Sequence, residues 1–447
     1  MLRRLKRLLP EPILDRYHLI LAHLAAWVYG FPSEKMIVIG VTGTNGKSTT
    51  CNLIAGILEE AGHKVGLTTT VNFRIAGKDW LNPYKMTMLG RFRLQKLLAE
   101  MAAAGCTHAV IETSSEGVKQ HRHAAINYDI AVFTNLTPEH IESHGGFDNY
   151  KAAKGKLFAK LAREKVKKLG GRPVAKTSVV NLNDPFADYF LSFPVPVRVG
   201  YRVDGPAAAG GSVAASQLQS AVIAEDVRTE AAGSLFTVEG HEYELKLVGA
   251  FNVENALAAI AVGRVLGIGH EVMTAALRRV EVVPGRMEFI DAGQPFSVLV
   301  DYAPEPESFR RLYEAVALFP RKRIIHVLGS CGGGRDVARR PILGKMAAER
   351  ADIVVVTDED PYDDDPLTII KEVAAGAAAA GKTEGKDLLL IPDREEALNR
   401  AVALAQPGDL VIATGKGAEQ AIVTAGGVKL PWDEREKLRQ AIARRAA

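Results

Sequence analysis

At 447 residues, with 47% hydrophobic and 24% charged side chains, the chain has the makeup of a globular enzyme with two or three cored domains. A net charge of +4 is too small to argue for nucleic acid, and no basic run is interleaved with aromatics. The three cysteines, Cys51, Cys106 and Cys331, lie far apart without metal-ligand spacing, which points to a reducing, cytoplasmic setting.

Arg3, Arg4, Lys6 and Arg7 fall within the first ten residues, which hold no acid. An apolar stretch, Leu19–Tyr29, follows and is interrupted by His23. It is too short for a membrane span, and no signal-peptide cleavage pattern is present. It reads either as a helix docked on the body of the protein or as a basic amphipathic element at a membrane surface.

From Met36 strands and helices alternate, an α/β pattern with a parallel sheet. Val38–Val41, His108–Ile111 and Ile130–Thr134 read as strands, and Thr50–Glu60, Leu89–Ala104 and Tyr150–Lys168 as helices. Pro194–Val248 alternates β-formers among small residues and reads as a small antiparallel subdomain. Helices are expected at Asn252–Leu266 and His270–Arg279, then a hinge at Val283-Pro284-Gly285. Five short apolar strands beyond it, from Ser297–Val300 to Asp409–Thr414, predict a second, Rossmann-like α/β domain. The expected division is a helical segment (1–35), a central domain (36–282) and a C-terminal domain (283–447).

One segment carries most of the chemistry. The β-formers Ile37–Val41 lead into Thr42-Gly43-Thr44-Asn45-Gly46-Lys47-Ser48-Thr49, then a helix. Strand, glycine-rich turn and helix N-terminus form a phosphate cradle, with Lys47 for the β/γ-phosphates and Ser48 or Thr49 for Mg²⁺. Val41 stands where a strict phosphate loop has its first glycine. Two later strands end in polar clusters, Glu112–Ser115 and Thr134–His140, where ligands sit in open α/β sheets. The Glu112 carboxylate suits a hard Mg²⁺ ion.

These motifs, with Tyr150–Phe158, Phe251–Asn255, Pro284–Glu288, Asp301–Ala303, Gly332–Arg340, Asp358–Pro366 and Gly415–Glu419, resemble the Mur ligases. These are the ATP-dependent ligases that build the peptidoglycan stem peptide. The resemblance is strongest to the branch that adds the third residue to UDP-N-acetylmuramoyl-L-alanyl-D-glutamate. It implies ATP, two Mg²⁺ ions and a carbamylated lysine at Lys154. Lys47, Ser48 and Thr49, with Gly43, Thr44, Asn45 and Gly46, would hold phosphates and the first Mg²⁺. Glu112, His140 and Lys154 would complete the metal ligands, and Lys47, His140 and Lys154 the catalytic set. Asn252 and Asn255 match adenine contacts, Arg286 a phosphate contact and Asp301 a ribose contact. Thr87, Ser114, Ser115, Arg335, Asp360, Tyr362, Gly415 and Glu419 fall to the substrates. Arg335 would grip the carboxylate of the incoming amino acid.

The chain departs from the family pattern in several places. About 36 residues precede the phosphate-loop strand, too few for a separate α/β domain. The family's UDP-gripping N-terminal domain is therefore expected to be missing, which leaves room for a lipid-linked or UDP-free acceptor. Glu359-Asp360-Pro361-Tyr362 stands in place of the family's Asp-Asn-Pro-Arg. Tyr362 lacks the arginine's charge for a distal carboxylate, and Asp360 favours an amine. Lysine or ornithine is thus expected over diaminopimelate. Glu116, Pro304 and Ala418 replace usual histidines. The expected protein is a monomer. Two other readings remain. One is a ligase of the poly-glutamate or amidating type, although no four-cysteine zinc element is present. The other is a nucleotide-binding protein without ligase activity, which intact Lys47, Glu112, His140 and Lys154 argue against.

Overall fold

The strand β1 (Ile37–Thr42) is a β-branched run buried almost throughout, as a central parallel strand requires. In the computed structural model, which describes residues 11–139, 141–205 and 218–446, it sits inside an eleven-stranded sheet. A helix, α1 (Glu11–Val28), precedes it, and α2 (Lys47–Glu60) follows the loop. Next come β2 (Val65–Thr68), β3 (Asn72–Ile75), β4 (Lys78–Leu81), α3 (Arg91–Ala103), β5 (His108–Glu112), β6 (Ile130–Phe133) and α4 (Phe147–Leu161). A separate hairpin, β7 (Lys167–Leu169) and β8 (Arg172–Val174), leads to β9 (Thr177–Asn181) and β10 (Val197–Val203). Then come β11 (Ser220–Glu230), β12 (Gly233–Val238) and β13 (His241–Leu245), and the unit closes with α5 (Ala250–Val265) and the helix His270–Arg279.

The order across the large sheet is β13-β12-β11-β10-β9-β6-β1-β5-β2-β3-β4. Its centre is parallel: β1 pairs Gly40 with Ile111 of β5 and with Ala131 of β6. Alternate residues feed two cores, Ile39 and Val41 to one and Val38 to the other. The first core packs α2 and α5, and the second holds Leu94 and Leu98 of α3 and Leu157 and Phe158 of α4. The antiparallel strands expected in 194–248 are β11 to β13, bonded to the edge of this same sheet through the parallel pair β10 and β11.

A second, six-stranded sheet follows. It contains β14 (Glu288–Phe289), β15 (Ser297–Asp301), β16 (Ile324–Leu328), β17 (Ile353–Val356), β18 (Leu388–Leu390) and β19 (Leu410–Thr414). Their order is β14-β15-β19-β16-β17-β18, parallel except at β14. Helices α6 (Pro306–Val316) and α7 (Arg339–Arg350) lie on it. The short segment Val283–Arg286 joins the two sheets and closes on itself as a single bridge.

The helix expected to reach Lys168 ends instead at Leu161. The reason is a buried charge. Asp129 is fully buried and receives Lys167 at 2.6 Å, Lys176 at 2.9 Å and the Val38 N–H at 2.8 Å. Two lysines and a backbone donor satisfy the carboxylate, and that network draws Lys167 out of the helix into β7.

His326 is also fully buried, between Tyr313 OH at 2.6 Å and Thr414 Oγ1 at 3.0 Å. Burial, with the Arg394 charge adding, pushes it down to about 3 from 6.5. Between those values the unfolded chain takes up a proton that the folded chain refuses, so this contribution is full above pH 6.5 and is lost as pH falls. The expected loss is about 2 kcal/mol at pH 5 for one such group. Denaturant unfolding of His326→Gln at pH 7 and pH 5 should show a smaller pH difference than the parent chain. An equal difference would contradict the assignment.

Candidate active site

Both faces of the loop after β1 are pressed by neighbours. Gly43 has φ +153, and a Cβ there would lie 1.9 Å from Thr134 Oγ1. Gly46 has φ +81, and its Cβ would lie 2.2 Å from Asn255 Oδ1. Only glycine meets both demands. The loop is then tied down. Thr134 Oγ1 donates to Asn45 O at 2.7 Å, and Asn45 N–H donates to Asn135 Oδ1 at 2.9 Å. The N-terminus of α2 opens at Lys47, whose Nζ turns back onto Thr44 O at 2.7 Å.

Around this loop the ends of the parallel strands deliver their side chains. Glu112, the last residue of β5, accepts from Ser48 Oγ at 2.8 Å and from Thr70 N–H at 2.7 Å. Lys154 reaches up from α4 and donates to Gly43 O at 2.6 Å. It is 2% exposed. Burial, with the Lys47 charge adding, holds its amine well below the ordinary lysine value. From α5, Asn255 receives Thr50 Oγ1 at 3.2 Å and donates to Asn252 Oδ1 at 2.9 Å.

The second sheet closes the cleft from the other side. Arg286 stacks on the Tyr302 ring at 4.4 Å and points an NH2 toward Ser48 Oγ at 3.5 Å. Asp301, at the end of β15, is fixed by the N–H groups of Met287 and Ala303, each at 2.8 Å. One cleft is thus lined by residues 44–49, Glu112, Lys154, Asn252, Asn255, Arg286, Asp301 and Arg335. A second pocket is lined by Lys85, Arg122, Cys331, Asp360, Tyr362 and Glu419, among others. The two share a wall made of Thr70, Thr87, Ser114, Ser115, Tyr302 and Arg335.

Of the residues singled out in the sequence, His140 lies outside the described residues. Gly415 lines neither pocket and lies against Glu359, which lines the second. Gly43 lines neither pocket and holds the Lys154 amine through its carbonyl oxygen, and the rest border one or both pockets. One expectation is corrected. Asp360 does not present an unmatched carboxylate to a substrate amine. It is buried, accepts the Val423 N–H at 2.8 Å and is paired with Lys416 at 3.1 Å and with Lys85. Burial opposes its ionisation, yet Lys416 and Lys85 hold the carboxyl below its usual value. Glu419 is paired with the same two lysines, at 3.0 and 3.2 Å. Cys331, Glu359 and Asp360 bring metal-type donor atoms together. The two ammonium groups there make the cluster an ion network, with the Cys331 thiol donating to Glu359 at 2.9 Å. Lys85 and Lys416 were not legible in the sequence. Lys85 comes from the loop between β4 and α3, and only the fold carries it across to the second sheet.

Family models match two stretches of the chain: the Mur ligase middle domain over residues 41–263, and the Mur ligase, glutamate ligase domain over residues 285–417. The chain belongs to the Mur ligase family. It is 43% identical over 431 residues to a UDP-N-acetylmuramyl-tripeptide synthetase of Roseiflexus sp. (strain RS-1), covering 95% of this chain and 82% of that one. It is 37% identical over 429 residues to a UDP-N-acetylmuramoyl-L-alanyl-D-glutamate–2,6-diaminopimelate ligase of Geobacillus kaustophilus, with the same coverage. A solved 2,6-diaminopimelate ligase of this kind superposes with a TM-score of 0.60 at 26% identity, over 96% of this chain and 84% of that one. This Mur ligase is therefore an ATP-using ligase with the two-sheet α/β fold of its family.

The loop geometry gives a direct test. Gly46→Ala would place a methyl group on Asn255 and strain the backbone, at a cost of about 1–3 kcal/mol. ATP affinity, measured by calorimetry, should fall by about tenfold or more. Gly170→Ala, at a turn with nothing within 4 Å, is the control and should bind ATP as the parent does. Equal binding by the Gly46 variant would remove the loop from the nucleotide site.

Proposed function

We propose that this Mur ligase joins an amino acid to the carboxylate of a muramoyl-L-alanyl-D-glutamate type peptide, through an acyl phosphate, in peptidoglycan stem-peptide synthesis. The observation that carries the reading is the shared wall. The phosphate end of the cleft, at Lys47, Ser48, Glu112 and Lys154, opens onto the second pocket through Thr87, Ser114, Ser115 and Arg335. A phosphoryl group held in the first pocket is then within reach of a carboxylate held at that wall.

In this reading residues 36–282 bind ATP and residues 283–447 bring the amino acid. The loop N–H groups and the α2 N-terminus face the phosphates, and Lys47 swings from Thr44 O to the transferring group. Arg286 approaches the same phosphates from the second sheet, Asn252 and Asn255 border the adenine, and Asp301 borders the ribose. The acceptor carboxylate oxygen attacks the γ-phosphorus, and the bond to the ADP oxygen breaks. The amino group then attacks the acyl carbon, loses its proton, and phosphate leaves. Arg335 holds the incoming carboxylate with a two-pronged guanidinium.

The donor set fits magnesium. Ser48 offers a hydroxyl beside the Glu112 carboxylate, which are hard oxygen ligands. Lys154, with its lowered amine, is in the form that adds carbon dioxide, and the resulting carbamate would supply another oxygen. Thr49 and His140 complete the proposed set. Bound there, the ions would neutralise charge on the transferring phosphoryl group. We further propose that the protein acts as a cytoplasmic monomer whose N-terminal helix touches a membrane surface. The membrane contact is consistent with an acceptor that carries a lipid.

The test is phosphate release from ATP with UDP-N-acetylmuramoyl-L-alanyl-D-glutamate and single amino acids. Release that needs both, with the matching mass gain in the product, is the expected result. Lys154→Ala should lose activity and regain part of it with added short carboxylates. Full activity in the plain variant would take Lys154 out of the mechanism. Release that ignores the acceptor would overturn the ligase reading.

A further inference from the structure

Helix α1 has two faces of unlike fate. Ala22, Ala25 and Ala26 are buried and Leu14, Leu21 and Tyr29 half-buried on the side that packs against α3. On the opposite side Ile13, Tyr17, Ile20, Leu24, Trp27 and Val28 are exposed. Ile20 and Trp27 are 65% and 69% exposed. Their helical spacing aligns them in one stripe along the whole helix. Scattered exposed apolar residues are ordinary, but six on one helix face, continued by exposed Phe31, are not.

The flanks of the stripe carry Arg16 and His23, both exposed. Of the two acids on the helix, Glu11 opens its first turn, and Asp15, exposed at its side chain, pairs with His121 Nε2 at 2.7 Å. The sequence just before the helix adds Arg3, Arg4, Lys6 and Arg7 without an acid. An apolar stripe with an aromatic at each half, bordered by cations, has the chemistry of a helix lying flat in the interface of an anionic bilayer. Among the described residues no helix is long and apolar enough to cross a membrane, so α1 would lie on the surface.

We infer that the stripe Ile13–Tyr17–Ile20–Leu24–Trp27–Val28 is a docking surface for a membrane bilayer bearing anionic headgroups. This rests on the membrane contact proposed above and gives it a surface and a lipid chemistry. The position of the helix gives the contact a use. His121, the partner of Asp15, is followed by Arg122, which lines the second pocket with Met88, Ser114 and Ser115. A bilayer under α1 thus lies beside the segment that borders the second pocket, at whose shared wall the acceptor carboxylate is placed. A peptide carried on a lipid would enter that pocket without leaving the surface.

The experiment is sedimentation of the full chain with vesicles of equal parts phosphatidylglycerol and phosphatidylcholine, with tryptophan emission read in parallel. Trp80 and Trp432 are half-buried, so a blue shift on binding reports Trp27. The expected result is binding that weakens in high salt and on pure phosphatidylcholine. Ile20→Asp and Trp27→Asp should each lower partitioning by about tenfold or more. Both positions are exposed, and phosphate release with a soluble acceptor should be unchanged in both variants. Absence of vesicle binding, or equal binding by the variants, would overturn the inference and leave the ligase reading standing. A dimer in solution that Ile20→Asp dissociates would also overturn it, by showing that a second copy covers the stripe. Vesicle binding in a chain that releases no phosphate would separate the two readings in the other direction.

Discussion

The site depends on one steric constraint, the passage of the loop at residues 43–46 between the end of β6 and the start of α5. Thr134 closes on Gly43 and Asn255 on Gly46, so neither position has room for a side chain. Because the backbone is squeezed there, its amides and carbonyls are fixed by Asn135, Thr134 and Lys154. Segments separated by about ninety and about two hundred residues in sequence therefore meet at one turn. The parallel strands do the rest: the first sheet delivers Glu112 and Asn135 beside that turn, and the end of β15 in the second sheet brings Asp301 to the opposite wall of the cleft.

Electrostatics then gives the turn its ligand. Lys47 and Arg286 converge on a helix N-terminus beside the buried Lys154 amine, and their positive potential favours a polyphosphate. Lys154 is the strained member. Deep burial next to Lys47 disfavours its charge, and that same burial leaves the amine nucleophilic. In the second pocket the balance differs. Lys85 and Lys416 neutralise Asp360 and Glu419, and the ion cluster spans the two sheets because Lys85 belongs to the first and its partners to the second. Lys429 adds a bond to Tyr84 O at 2.6 Å across the same junction. The second pocket is thus built at the seam between the two halves of the chain.

Much of this was legible in the sequence because it is local. A β-branched run followed by Gly43, Gly46 and Lys47 specifies strand, turn and helix within a dozen residues, and β1, β5, β6 and β15 fall within two residues of expectation. What failed was non-local. The helix after Tyr150 stops early because Asp129, over thirty residues upstream, draws in Lys167. Asp360 looked free because its partners, Lys85 and Lys416, are 275 and 56 residues away, and neither carries a local signal. Strands β11 to β13 looked detached because the parallel pairing of β10 with β11 cannot be read from alternation alone.

In the proposed reaction the shared wall between the two pockets is where a carboxylate meets the γ-phosphate. The most direct measurement uses a muramoyl-L-alanyl-D-glutamate acceptor labelled with ¹⁸O in its terminal carboxylates and follows the label into phosphate by mass spectrometry. One labelled oxygen should appear in each phosphate released. Unlabelled phosphate alongside amide product, or release of AMP and pyrophosphate, would contradict it.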